Sequence, residues 1–165
     1  MRIFGIVGWK NSGKTGLMVR LITEITSRGF GVSTLKHAHH SFDVDQPGKD
    51  SYRHREAGAG EVMLASAKRW ALMHEVTGDE PALDALLPHL SPVDLVLVEG
   101  FKSGTHPKIE AYRSVNCQTP IATNDRTVLA LAADCPLDLD RPLFDLDDTV
   151  AIADFILRET GLTDA

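Results

Sequence analysis

Cysteine is scarce. The 165 residues hold two, Cys117 and Cys135, with no CxxC spacing. That excludes a disulfide framework and reads as reduced thiols, most simply packed inside a cytoplasmic protein. Surplus positive charge is absent as well. Lys and Arg number 17 against 23 Asp and Glu, for a net charge of −6, which argues against a nucleic acid as main partner while leaving room for a local basic pocket. No apolar run approaches the roughly 18 residues of a membrane helix, so no membrane partner is expected. The opening "MRIFGIVGWKNSGK" is not expected to be a signal peptide, because a glycine-rich turn and a lysine interrupt its apolar run. Internal repeats, low-complexity tracts and composition shifts are also missing, so residues 1–165 are expected to form a single domain. At this length folding buries roughly two thirds of the unfolded surface.

What is present is a strand–helix alternation. Residues 2–7 form a short apolar run that ends at a glycine, as a buried strand does. Leu17, Leu21, Ile22 and Ile25 then recur at helical spacing until Gly29 stops them, and "GVSTLKH" reads as a second strand. The resulting βαβ unit implies a parallel sheet with a right-handed crossover. Residues 37–51 read as a long, mobile polar loop, and Asp50 or Ser51 caps a short helix through Ala57. "EVMLAS" and "RWALMHEV" suit a hairpin, and "PALDALLPHL" a helix with proline in its first turn. "VDLVLVEG" is a continuous apolar strand, "KIEAYR" and "PIATN" read as further short strands, and "TVLALAAD" fits strand or helix. The segment "DTVAIADFILRE" closes the chain as an amphipathic helix. The expected fold is α/β: a mostly parallel P-loop NTPase-like sheet flanked by helices, elaborated by an antiparallel hairpin.

Residues 8–15, "GWKNSGKT", match G-x-x-x-x-G-K-[ST] between a strand and a helix. Gly8 and Gly13 permit backbone conformations that turn successive N–H groups toward an anion. With Asn11 and Ser12 they form the cradle, and the helix start adds unpaired amides and the positive end of its dipole. Lys14 brings a mobile charge to the β- and γ-phosphates, and Thr15 offers a hydroxyl to Mg²⁺. Across the phosphates such sites use a carboxylate at the end of a neighbouring strand. Glu99 occupies that place after "VDLVLV", and Gly100 leaves room for a phosphate or a loop. Asp94, at the other end of the strand, is poorly placed. In the loop after the second strand, Asp43 or Asp45 is a candidate for the metal and Lys49 for the phosphates; the alternative is a solvated loop with ordinary charges.

His37, His39 and His40, with His54 beyond, could bind a transition metal. Adjacent His39 and His40 point to opposite faces of an extended segment, and contacts to phosphate or substrate are the competing role. Trp9 and Trp70 read either as ring-stacking surfaces or as packed side chains.

The stretches "GIVGWKNSGKTGLMVRLI", "VSTLKHAHHSFDVDQPGKDSYRHREAGA" and "DLVLVEGFK" together resemble the family of molybdopterin-guanine dinucleotide biosynthesis adapter proteins, MobB, from Met1 to about Arg113. The resemblance implies a GTP-binding protein with weak GTPase activity, similar to the signal-recognition and metallochaperone-type P-loop GTPases. It implies a homodimer with an extended sheet, and a partner guanylyltransferase that joins GMP to molybdopterin. Carried over by motif, Gly8 and Asn11, Ser12, Gly13, Lys14 and Thr15 hold phosphates, Lys14 and Glu99 serve catalysis, Thr15 and Glu99 serve Mg²⁺, and Asp45 is a secondary metal or water ligand. Guanine selection lacks an N-K-x-D run; Asn124 and Asp125 in "ATNDRT" are candidates for the base, and a plain Asn–Asp turn is the alternative. Two other functions fit a P-loop of this size. A small-molecule kinase would use Arg53, Arg55 and Arg69 as a lid, and a nucleotide-gated metallochaperone would use the histidines.

Overall fold

The computed structural model describes residues 1–38 and 42–163. In chain order its elements are β1 (Arg2–Val7), α1 (Lys14–Ser27), β2 (Val32–Lys36), α2 (Asp50–Glu56), β3 (Glu61–Ala65), β4 (Trp70–His74), α3 (Leu83–Leu86), β5 (Leu95–Glu99), β6 (Lys108–Tyr112), β7 (Val128–Ala133), β8 (Leu143–Asp145) and α4 (Thr149–Glu159). The chain divides into two compact units, residues 1–37 with the chain from residue 90 onward, and residues 38–89.

The first unit is built on a six-stranded sheet ordered β2-β5-β1-β6-β7-β8, with every neighbouring pair parallel. β5 and β1 lie inside the sheet, which is why their sequences are apolar on both faces. Along β1 and β5, alternate residues Phe4, Ile6, Leu95 and Leu97 join Leu21 of α1 and Ile156 of α4 in one buried core. Phe155 of α4 meets the Phe4 ring edge-on, with centroids 6.2 Å apart. Arg28, just past α1, ties the two helices together through Asp154 of α4.

The other face of β6 carries charge rather than hydrocarbon. Ile109 and Ala111 enter the main core, so alternation turns Lys108 and Glu110 the opposite way, and both are fully buried. The Glu110 carboxylate accepts the backbone N–H groups of Ile121 and Ala122, each at 2.9 Å. The Lys108 ammonium donates to the Gly104 carbonyl and the Thr127 hydroxyl. These two side chains pin the connections on either side of β6.

Residues 120–124 therefore do not form the strand expected of them. Ile121–Thr123 is a turn of 3-10 helix, because its leading amides go to Glu110 and not to a ladder. Burial raises the carboxyl pKa of Glu110, and the Ala122 and Ile121 amides only partly offset this. An acid with a raised folded pKa favours folding less once ionised. Wild-type stability should thus fall as pH climbs from the unfolded carboxyl range through the folded value. Glu110→Ala is expected to lose about 2–4 kcal/mol in urea unfolding at neutral pH, since the buried Ala122 amide and the part-buried Ile121 amide lose their acceptor. Glu110→Gln should lose less and flatten that pH dependence.

Other expectations shift for local reasons. The "PALDALLPHL" helix shrinks to α3 plus a 3-10 turn at Leu87–His89, because Pro88 has no N–H with which to continue the α ladder. Pro81 lies outside the first turn, ahead of the cap Ala82. β8 was not foreseen; it is three residues long and follows a proline. "TVLALAAD" resolves as strand β7, walled by β6 and β8. Cys117 is exposed and Cys135 half-buried, so neither is the packed core residue expected. Trp70 is 61% exposed, against the packing role.

The second unit holds α2 and the β3–β4 hairpin, joined by Ser66, Ala67, Lys68 and Arg69. In the described part of its polar loop, Arg55 of α2 gathers Asp43 at 2.6 Å, Asp45 at 3.7 Å and Glu75 at 2.9 Å.

Candidate functional site

Parallel pairing sends the carboxyl ends of β1, β2 and β5 to one edge of the sheet, where ligands of open α/β sheets bind. β1 runs out at Val7, and residues 8–13 turn directly into α1. The turn depends on glycine at defined points. Gly8 has φ +149°, and a Cβ there would stand 2.4 Å from both the Ala111 carbonyl oxygen and Ser12 Oγ. Gly13, at φ +90°, caps α1. Asn11 takes φ +64°, a left-handed conformation that its side chain tolerates.

The head of α1 is left without internal partners. It has no side-chain cap and no acidic residue in its first turn, although such groups commonly satisfy the leading amides. Ser12 Oγ is buried with no hydrogen-bond partner among the described residues. Lys14 folds back so that Nζ donates to the Trp9 carbonyl at 2.7 Å. Its pKa is lowered by burial, with Glu99 opposing the shift and the Lys102 and Lys36 ammonium groups adding to it. Unpaired amides, an orphaned hydroxyl and crowded ammonium groups are the donor set that a polyphosphate satisfies.

Glu99 faces this loop. Thr15 Oγ1 donates to Glu99 Oε1 at 3.4 Å, and the Glu99 residue is 8% exposed. A hydroxyl and a carboxylate on one spot are hard oxygen ligands of the kind Mg²⁺ prefers. Gly100 follows at φ +91°, with its N–H on the Ile6 carbonyl; a Cβ would press to 3.0 Å from His37 Cβ. Gly100 thus gives His37 its place beside β5. Asp94, at the far end of the strand, accepts the Gly31 N–H at 2.7 Å.

Gly8, Asn11, Ser12, Gly13, Lys14, Thr15, Glu99 and Gly100 come together in this way. Asp45 and Lys49 belong to the second unit, where Asp45 accepts from Ser51 Oγ and Lys49 precedes α2. Asn124 and Asp125 sit before the amino end of β7, the opposite edge from the P-loop. There Asp125 accepts the Thr127 N–H and hydroxyl and lies 3.6 Å from Lys108 Nζ, the geometry of the turn alternative. His39 and His40 lie outside the described residues. Among the described residues no group of three or more His, Cys, Asp or Glu side chains is placed to share a metal, and no helix is long and apolar enough to cross a membrane. Of the arginines considered for a kinase lid, Arg55 is held by its three carboxylates.

Three cations near the loop escaped the sequence reading. Lys36 ends β2 with Nζ 3.6 Å from Glu99 Oε1. Lys102 Nζ stands 4.1 Å above the Trp9 ring, whose Nε1 donates to the Thr119 carbonyl. Trp9 is therefore braced at the surface and not packed in the core. The Arg113 guanidinium lies beside the α1 cap, where a Cβ on Gly13 would come 3.2 Å from its Nε. Each sits at or just beyond the carboxyl end of a strand; that position, applied to every cation in the chain, was the available signal.

Comparison with known proteins adds the family. The family model described as "Molybdopterin guanine dinucleotide synthesis protein B" matches residues 3–134. The molybdopterin-guanine dinucleotide biosynthesis adapter protein of Haemophilus influenzae Rd is 45% identical over 156 residues, 93% of this chain and 86% of its own length. The protein of the same description from Escherichia coli K12 is 43% identical over 161 residues, 94% of this chain and 91% of its own. Among solved structures, Bacillus subtilis MobB superposes with a TM-score of 0.76 at 27% identity, over 97% of this chain and 98% of its own.

Proposed function

The chain belongs to the molybdopterin guanine dinucleotide synthesis protein B family, and from that premise we propose that it is a GTP-binding adapter with weak GTPase activity. In this reading it assists a guanylyltransferase partner that attaches GMP to molybdopterin. The observation that carries the nucleotide half is the uncapped head of α1 beside the partnerless Ser12 hydroxyl. The amides of residues 11–15 bind the phosphates, Lys14 leaves the Trp9 carbonyl for the β- and γ-oxygens, and Thr15 and Glu99 hold Mg²⁺. Bound Mg²⁺ supplies charge neutralisation at the terminal phosphates. Guanine in this reading comes from the family's place in guanine dinucleotide synthesis, not from a carboxylate at residues 124–125.

Slow turnover fits a P-loop whose own residues, 8–15, include no glutamine to orient a water and no arginine finger, and a partner can complete such a centre. A homodimer fits the second unit's hairpin, which leaves Met63 60% and Trp70 61% exposed. The test is a reconstituted assay of the purified chain with the guanylyltransferase, GTP, Mg²⁺ and molybdopterin. Slow GTP hydrolysis with stimulated dinucleotide formation supports the adapter. Rapid phosphoryl transfer dependent on a small acceptor would make it a kinase instead, and stoichiometric Ni²⁺ or Zn²⁺ uptake lost on replacing His37 would make it a metallochaperone.

A further inference from the structure

Glu99 Oε1 is shared. Thr15 Oγ1 donates to it from one side, and Lys36 Nζ stands 3.6 Å away on the other. Lys36 and Glu99 are register partners at the ends of adjacent parallel strands, so the backbone fixes how far apart their side chains start. The Glu99 side chain is 11% exposed and that of Lys36 62%. A carboxylate so enclosed needs a compensating cation, and Lys36 supplies one from the solvent side on a flexible stem. Lys14 and Lys102 are nearby, one on the Trp9 carbonyl and the other on the Trp9 ring. Two ammonium groups, Lys36 directly and Lys14 through space, thus act on one carboxylate, in a chain whose net charge is −6.

We propose, on the footing of the nucleotide reading above, that Lys36 is a positioning residue that stands in for the metal. It neutralises Glu99 while the site lacks Mg²⁺, and it moves to the terminal phosphate when Mg²⁺ takes the carboxylate. Two cations cannot share one carboxylate oxygen without repelling each other, so arrival of the ion displaces the ammonium. The exposed stem lets the charge swing while β2 keeps its Cα in place, and the terminal phosphate is the nearest new anion in the loop. Lys36 thereby distinguishes a triphosphate from a diphosphate, because in the diphosphate complex that anion is missing. It also keeps Glu99 from collecting Mg²⁺ before the nucleotide arrives.

The test uses the full chain as wild type, Lys36→Met and Lys36→Arg, with circular dichroism to verify folding. Calorimetric titration with Mg-GTP and Mg-GDP is expected to show Lys36→Met binding GTP about tenfold more weakly, with GDP affinity changed by less than about twofold. Lys36→Arg should keep most of the discrimination. Without nucleotide, millimolar Mg²⁺ should raise the Tm of Lys36→Met more than that of the wild type, because the competing ammonium is gone. Equal loss for GTP and GDP, no loss for either, or identical Mg²⁺ responses overturns the inference. Wild-type protein that binds neither nucleotide overturns the nucleotide reading and the inference with it, whereas normal wild-type binding with an unchanged Lys36→Met overturns the inference alone.

Discussion

Lys14→Ala is expected to lower affinity for a Mg-nucleoside triphosphate by about a hundredfold, equivalent to about 3 kcal/mol, while leaving the melting temperature within about 2 °C of the wild type. The two halves of this result have separate causes. In the nucleotide-free chain the ammonium makes one hydrogen bond, to the Trp9 carbonyl, and that carbonyl also receives the Ser12 N–H, so truncation strands no buried acceptor. In the complex the same ammonium is to meet several phosphoryl oxygens at the dipole end of α1, where water is partly excluded and charge-assisted bonds are strong. Lys14 is already crowded by burial and by Lys102 and Lys36, against the pull of Glu99; an incoming polyanion relieves that crowding, and alanine has none to relieve. Lys14→Arg should recover little, because a planar fork does not fit a loop shaped around a point charge. Calorimetry and differential scanning fluorimetry on the same preparations read both quantities.

Gly8→Ala is expected to act on both fold and binding, removing about 2–4 kcal/mol of stability in urea unfolding and detectable triphosphate binding with it. The added methyl would stand 2.4 Å from the Ala111 carbonyl, which is backbone of a central strand and cannot withdraw, and as close to Ser12 Oγ. The φ of +149° adds strain regardless of space. The comparison that isolates the clash is Gly29→Ala. Gly29 has φ +91° but nothing within 4 Å of its would-be Cβ, so that substitution should cost about 1 kcal/mol and leave binding intact. Equal losses at the two positions would show that backbone strain, and not the close approach of β6 to the loop, sets the requirement at residue 8.

The parts of this molecule legible in its sequence are those governed by local periodicity. The apolar runs of β1 and β5 and the helical spacing of Leu17, Leu21 and Ile25 in α1 each bury the residues they advertise. The P-loop was legible because its spacing is itself the mechanism, and Glu99 because a carboxylate ending an all-apolar strand has few other uses. What escaped was set by tertiary partners. Ile121 and Thr123 carry β-branched side chains suited to a strand, yet a buried carboxylate on β6 captures the amides of Ile121 and Ala122. "KIEAYR" alternates polar and apolar residues, and its Lys108 and Glu110 are nonetheless buried because the connections around β6 fold over them. Lys36 reads as the end of the second strand with no partner named for it; strand register, which a single sequence does not contain, brings it to Glu99. Asp125 matched a base-selecting group in type alone, and its neighbours Thr127 and Lys108 occupy it.

The most direct measurement is a crystal structure of the full chain with a non-hydrolysable GTP analogue and Mg²⁺. The account predicts the polyphosphate along the amides of residues 11–15, Lys14 released from the Trp9 carbonyl, and the ion between Thr15 and Glu99. A nucleotide seated elsewhere, with Lys14 still on Trp9 and the P-loop free of ligand, would contradict it.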